Sequence, residues 1–135
     1  MHFVDTNIFI RHLTGDDPIK AQACYELFKR AATDTITLTT TEAVIAEVVF
    51  VLSSKRLYNL PRQRIRELLY PLLNLKGFQL PQRPTLLRAL DLYELYNLDF
   101  EDTLVIAHME RQNLKDMYSY DRGFDKIPEI IRHEP

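Results

Sequence analysis

The sequence predicts an α/β fold: a three-layer α/β/α sandwich around a central, mainly parallel sheet of four to five strands. Three observations lead there. Short apolar or β-branched runs at His2–Val4, Thr35–Thr39, Phe78–Leu80, Met117–Tyr120 and Ile130–Ile131 alternate with longer segments of helical period. Strands that alternate with helices in one domain pair in parallel and carry the helices on their faces. A chain of 135 residues without repeat, linker or low-complexity run is expected to form a single domain spanning residues 1–135.

The elements follow in order. His2-Phe3-Val4 reads as a short buried strand that the polar Asp5-Thr6-Asn7 ends. Ile8, Ile10 and Leu13 mark a short helix that stops at Gly15 and Pro18. Ala21, Cys24, Tyr25, Phe28 and Ala32 then recur at helical spacing, giving a helix from Pro18 to Ala32. The alternating Thr35–Thr39 run is a strand. The helix after it, Thr41 to Ser54, is apolar nearly all round and is expected at the centre, with Thr39 and Glu42 matching a capping box. Pro61 suits the first turn of the next helix (Ile65, Leu68, Leu69, Leu72, Leu73), which Pro71 should kink near its end. Pro84 opens a helix through Leu87, Leu90, Tyr93, Leu95 and Tyr96, and a last helix runs from Phe100 to Gln112.

Composition excludes several functions. Cys24 is the only cysteine and His2, His12, His108 and His133 are scattered, so a disulfide scaffold and a zinc finger are ruled out. The formal charge of −2 is not that of a protein that coats duplex nucleic acid by charge alone. The longest apolar stretch, Ala43 to Leu52, has Glu47 inside it and is about half the length a bilayer needs, so no membrane association is expected. His2-Phe3-Val4-Asp5 meets a charge at once, which is unlike a signal peptide, and the expected location is cytoplasmic.

Four carboxylates stand out against that background. In a parallel sheet, ligands bind outside the carboxyl ends of the strands, which directs attention to Asp5 and Asp121. Either could equally cap a helix or a turn. Glu47 has apolar neighbours on every helical face, and a buried carboxylate must be paired, protonated or bound to a cation. Glu42 lies five residues away, roughly 140° round the helix, and cannot share its ligand face. Asp102 falls near the third position of the last helix, where the dipole favours an acid in any case, and Asp99 is the expected cap. Taken together, these points of a parallel sheet can converge, and clustered carboxylates need cations. Hard oxygen donors suit Mg²⁺ or Mn²⁺, which commonly activate water against phosphodiesters.

The four motifs Val4-Asp5-Thr6-Asn7, Ala46-Glu47-Val48-Val49, Asp99 to Ala107 and Ser119 to Asp125 resemble, in order and spacing, those of the PIN-domain family, and most of all its toxin ribonucleases from toxin–antitoxin pairs. The resemblance implies a metal-dependent endoribonuclease with Asp5, Glu47, Asp102 and Asp121 as metal ligands. It implies Asn7 (or Thr6) and Ser119 as polar helpers, and Mg²⁺ or Mn²⁺ as cofactor. The implied partners are an RNA substrate, a second copy in a homodimer and a cognate antitoxin laid across the acidic groove. The dimer is expected on the apolar faces of the two helices between Pro61 and Leu95. Thr103 stands where these toxins usually have Ala, which touches packing and not the ligand set. A phosphoryl-transfer aspartate enzyme would need an acid at Asn7, and a phospho-receiver an acidic pair after the first strand. A catalytically silent PIN-fold module that binds RNA or serves as a scaffold is the stronger rival, although it would usually have lost one of the four acids. Lys55, Arg56, Arg62, Arg64 and Arg66 form either an RNA-facing patch or a solvated face.

Overall fold

Capping side chains set the starts of the first three helices in the computed structural model, which describes residues 1–135. Strand β1 (His2–Phe3) leads into α1 (Thr6–Thr14), where Asp5 accepts a hydrogen bond from the Asn7 N–H at 3.1 Å. Helix α1 ends at Gly15, whose φ of 69° is the left-handed conformation that favours glycine. Helix α2 (Pro18–Ala32) starts at Asp17, which accepts from the Lys20 N–H, and Pro18 occupies its first turn. Helix α3 spans Glu42–Ser53, α4 Arg62–Leu73, α5 Arg83–Leu95 and α6 Phe100–Arg111. Pro71 sits in the last turn of α4, which ends two residues later.

The capping box expected at the head of α3 does not form. Thr41, not Thr39, is the cap and accepts from the Val44 N–H, while Glu42 turns away to His108 Nε2 at 2.9 Å. Thr39 is held in strand pairing instead.

The strands are shorter and less united than a sheet of four to five strands requires. Strand β2 (Leu38–Thr39) pairs in parallel with β1, His2 opposite Leu38. A single parallel bridge adds Phe78 on the other side of Leu38. Strands β3 (Asp116–Tyr118) and β4 (Ile131–His133) make a second, separate parallel pair. The ladder of β1 cannot lengthen because the capping turn at Asp5 begins two residues after Phe3. The approach of residue 77 to the chain is also close: a Cβ there would lie 2.3 Å from the Ile36 carbonyl oxygen and 2.7 Å from that of Ala31, so only glycine fits.

Side chains from every helix fill one contiguous core. Phe9, Phe28 and Phe78 stack in its centre, with ring centroids 5.7 to 6.2 Å apart. Ile45, Val48, Val49 and Leu52 of α3 are buried, but Phe50 is 70% exposed, so α3 is not enclosed on all sides as its composition suggests. The faces of α4 and α5 expected to hold a second copy are committed to this same core. Ile65, Leu69 and Leu73 of α4, with Leu86, Leu90 and Tyr93 of α5, are buried within one chain. Those side chains are therefore not the ones a second copy would meet, while Leu95, 68% exposed, stays at the surface.

Candidate active site

Helices α3 and α6 flank a groove in which the acidic residues gather. Phe100, Leu104 and Ala107 anchor α6 in the core and leave Glu101 and half-buried Asp102 towards the groove. Two adjoining cavities lie along it. One, of about 350 Å³, is lined by Phe50, Tyr93, Asp99, Glu101 and Asp102 among others. The second, of about 580 Å³, is lined by Glu42, Glu47, Glu101 and Leu104, and shares Ala46 and Phe50 with the first.

Asp102 is the most perturbed of the acids. Burial, with the negative charges of Asp121, Asp99 and Glu101 added to it, pushes its carboxyl above the usual range, and no hydrogen bond to the carboxylate offsets them. The charge of Asp121 is therefore felt at Asp102, although the two are far apart in sequence. Asp121 follows β3 and heads a 3₁₀ turn, Arg122–Lys126, with Oδ1 accepting from the Gly123 N–H at 2.8 Å. Ser119 fixes that turn from the other side, its Oγ accepting from the Asp121 N–H at 3.0 Å. Arg132 braces the same loop by donating to the Ser119 carbonyl and to Asp125.

Glu47 is exposed, contrary to the burial expected from its apolar neighbours in sequence, because α3 turns its Ala46–Glu47–Phe50 side to the open groove. Its Oε2 accepts from the Thr6 hydroxyl at 2.8 Å, which ties the first turn of α1 to the middle of α3. The side-chain hydrogen bond to an acid thus comes from Thr6. Asn7 contributes its backbone N–H to Asp5, and it lines a different cleft, between α1 and α2. The capping and ligand roles open to Asp5 and Asp121 are compatible, since each commits only Oδ1 to its cap.

The PIN domain family model matches residues 2–130 of the chain. The chain belongs to the PIN-domain family. It is also 26% identical over 127 residues, covering 94% of this chain and 92% of the other, to the VapC ribonuclease of Aquifex aeolicus (strain VF5). The α/β class expected from the sequence is that of the PIN domain, here with six helices and two small parallel strand pairs. No helix of this PIN domain is long and apolar enough to cross a membrane.

The donor set of the PIN domain suits a hard divalent cation in kind: carboxylate oxygens, with no soft ligand among them, and one carboxyl raised by burial and by uncompensated negative neighbours. As placed, no three His, Cys, Asp or Glu side chains are grouped to hold an ion between them. The structure brings Asp102 under the charge of Asp121, and Glu47 to the residue after Asp5, without closing a cage.

Asp99 and Glu101 also line the groove, although the sequence motifs do not mark them as site residues. Their signal is the run Asp99-Phe100-Glu101-Asp102, in which Asp99 reads as a cap; it holds the capping position but makes no capping hydrogen bond with its side chain. The basic residues that read as either an RNA-facing patch or a solvated face are mostly engaged elsewhere. Arg62 donates to the carbonyls of Tyr93, Tyr96 and Leu98, Arg66 pairs with Asp91 and Glu94, and Arg64 with Glu67. Thr103 is fully buried and its hydroxyl donates to the Phe100 carbonyl at 2.7 Å, so the extra polar atom is satisfied.

Proposed function

We propose that this PIN domain is a metal-dependent endoribonuclease of the cytoplasm and the toxin of a toxin–antitoxin pair. The observation that carries the proposal is the α3–α6 groove itself, in which Glu47 and Asp102 line two adjoining cavities that share Ala46, Phe50 and Glu101, and Asp121 bears on Asp102. A salt-bridge role for Glu47 and Asp102 would pair them with Arg or Lys, and neither forms an ion pair: the paired acids are Asp34, Glu42, Glu67, Asp91, Glu94, Glu110, Asp116, Asp125 and Glu134. The likeness to a protein named as a VapC ribonuclease supports RNA as the substrate and an antitoxin as the partner.

In this proposal Asp5, Glu47, Asp102 and Asp121 hold one or two Mg²⁺ or Mn²⁺ ions. A divalent ion bound there would supply a water of lowered pKa and stabilise the leaving oxygen of the phosphodiester. The residues of the chain orient and neutralise. The Thr6 hydroxyl fixes one oxygen of Glu47 and leaves Oε1 for a ligand. The Asn7 and Gly123 N–H groups fix Oδ1 of Asp5 and of Asp121, and Ser119 holds the backbone turn under Asp121. Burial and the neighbouring negative charges make Asp102 hold its proton more tightly than an ordinary aspartate. We further propose that the protein is a homodimer, with its interface outside the buried faces of α4 and α5.

Incubation of the full chain with single-stranded RNA, with Mn²⁺ and with EDTA, tests the proposal. The expected products appear only with the ion and carry a 5′-phosphate and a 3′-hydroxyl, because water is the nucleophile. A 2′,3′-cyclic phosphate would overturn the mechanism. Failure to cut any RNA with Mn²⁺ present would favour a silent RNA-binding module.

A further inference from the structure

An acidic groove cannot by itself attract a polyanion, so an RNA strand needs cations beside it. The cleft between α1 and α2, about 340 Å³, meets that need. It is lined by Asn7, Ile8, Arg11, Lys20, Ala23 and Cys24, with no carboxylate among them. Asn7 and Arg11 stand one helical turn apart on α1, and Lys20 faces them from the first turn of α2. The positive charge of Arg11 reaches Cys24 on the opposite wall, where it opposes the effect of burial on the thiol. Lys20 gives its backbone N–H to the Asp17 cap and keeps its ammonium free of that bond. Consecutive residues link the cleft to the acidic site: the Thr6 hydroxyl donates to Glu47, Asn7 lines the α1–α2 cleft, and the Asn7 N–H donates to Asp5. Arg11 lies six residues beyond Asp5, about 9 Å along the helix axis.

We propose that Asn7, Arg11 and Lys20 form a phosphate-binding cleft that holds the RNA backbone next to the phosphodiester at Asp5. The nuclease proposal enters only as the reason to name RNA as the polymer. A phosphate in the cleft accepts from the Arg11 guanidinium and from the Asn7 amide, and the Lys20 ammonium adds a point charge. Interactions of this kind position a strand without reading its sequence. Specificity for a base would have to come from the groove side, where Phe50 is exposed.

The test is equilibrium binding of labelled oligo-U and oligo-A to the full chain in EDTA, across a series of salt concentrations, so that cleavage plays no part. Arg11→Gln/Lys20→Gln is expected to weaken both oligomers alike and to lower the salt slope by about 1.4, at about 0.7 for each phosphate of a single strand that is no longer neutralised. Arg11→Lys/Lys20→Arg should keep the slope. Lys29→Gln/Lys115→Gln, an equal loss of charge at exposed positions outside the cleft, should keep it too. An unchanged slope for Arg11→Gln/Lys20→Gln would overturn the proposal. So would loss of oligo-glutamate binding with RNA binding intact, which would assign the cleft to an acidic protein segment. RNA bound with the expected signature but never cut under Mn²⁺ would remove the nuclease proposal and leave this cleft standing.

Discussion

The Thr6 hydroxyl and the Glu47 carboxylate, 41 residues apart, are joined by a 2.8 Å hydrogen bond that links α1 to α3. The bond fixes the direction of Glu47 on an exposed helix face, where a glutamate would otherwise sample several rotamers. Thr6→Val keeps the shape and removes the donor. RNA cleavage should slow about tenfold, a loss of about 1.4 kcal/mol of transition-state stabilisation from a misdirected Glu47, and the melting temperature should fall by no more than a few degrees. Thr6→Ser should restore the rate. Steady-state cleavage assays beside thermal melts of the three proteins check this, and a full rate in Thr6→Val would show that Glu47 needs no such guide.

Asp102 gives a pH-dependent stability whose sign is fixed. Its folded pKa is raised, so the folded chain binds that proton more tightly than the unfolded chain does. The destabilisation is complete above the folded pKa, shrinks as pH falls through it, and is gone below the ordinary aspartate value of about 3.9. Metal-free Asp102→Asn should therefore be more stable than the wild type at pH 7, with the gap closing as pH is lowered towards 4. Urea titrations at pH 7, 5 and 4 read the effect directly. A variant less stable than the wild type at pH 7 would contradict it.

Asp121→Asn should behave as a weaker copy of that variant. Burial is the largest cause of the shift at Asp102 and Asp121 only the second, so removing the Asp121 charge relieves part of it. The amide retains the oxygen that accepts from Gly123, and the turn should survive. RNA cleavage is nevertheless expected to fall by orders of magnitude. Cleavage rates and melts of the same preparation separate these two effects, and an active but destabilised Asp121→Asn would leave Asp121 as a cap alone.

Cation binding should appear as stability. At a concentration of Mn²⁺ one hundred times its Kd, mass action stabilises a folded protein by about 2.7 kcal/mol. The wild-type melting temperature should rise with Mn²⁺ or Mg²⁺, and that of Asp102→Asn much less. Equal shifts in both proteins would place the ion away from Asp102.

Gly77→Ala tests the fold and not the site. The added Cβ would meet the backbone oxygens of Ile36 and Ala31, neither of which can swing aside as a side-chain end would. A loss of about 1–3 kcal/mol or more is expected, measured by chemical unfolding.

Helices were legible in this sequence and strands were much less so, for a physical reason. The helix from Pro18 to Ala32 has a period of apolar residues, a capping aspartate and a first-turn proline that all agree, and its bounds match those of α2. The strands have two or three residues each, and whether they join one sheet depends on close approaches such as that at Gly77, which no alternation pattern encodes. At the site, residue types and order were enough to single out Asp5, Glu47, Asp102 and Asp121. The environment of Glu47 was not legible, since an apolar helix is expected to be enclosed and α3 instead leaves Phe50 and Glu47 beside an open groove. The fate of the arginines was equally hidden. Arg62 reads as one of a run of surface cations, yet three backbone carbonyls converge on it, one from the last turn of α5 and two from the α5–α6 connection.

Asp5 and Asp121 each hold a backbone N–H with one oxygen and keep the other open, which changes how an inert form of this protein should be made. Alanine at either place would remove a cap worth about 1 kcal/mol together with the free oxygen, and a dead variant would then be partly a loosened one. Asparagine leaves the scaffold's acceptor in place and deletes only the charge. The doubly amidated chain, Asp5→Asn/Asp121→Asn, is therefore the form suited to trapping an uncut RNA for structure determination, because it withholds the chemistry while keeping both capped turns.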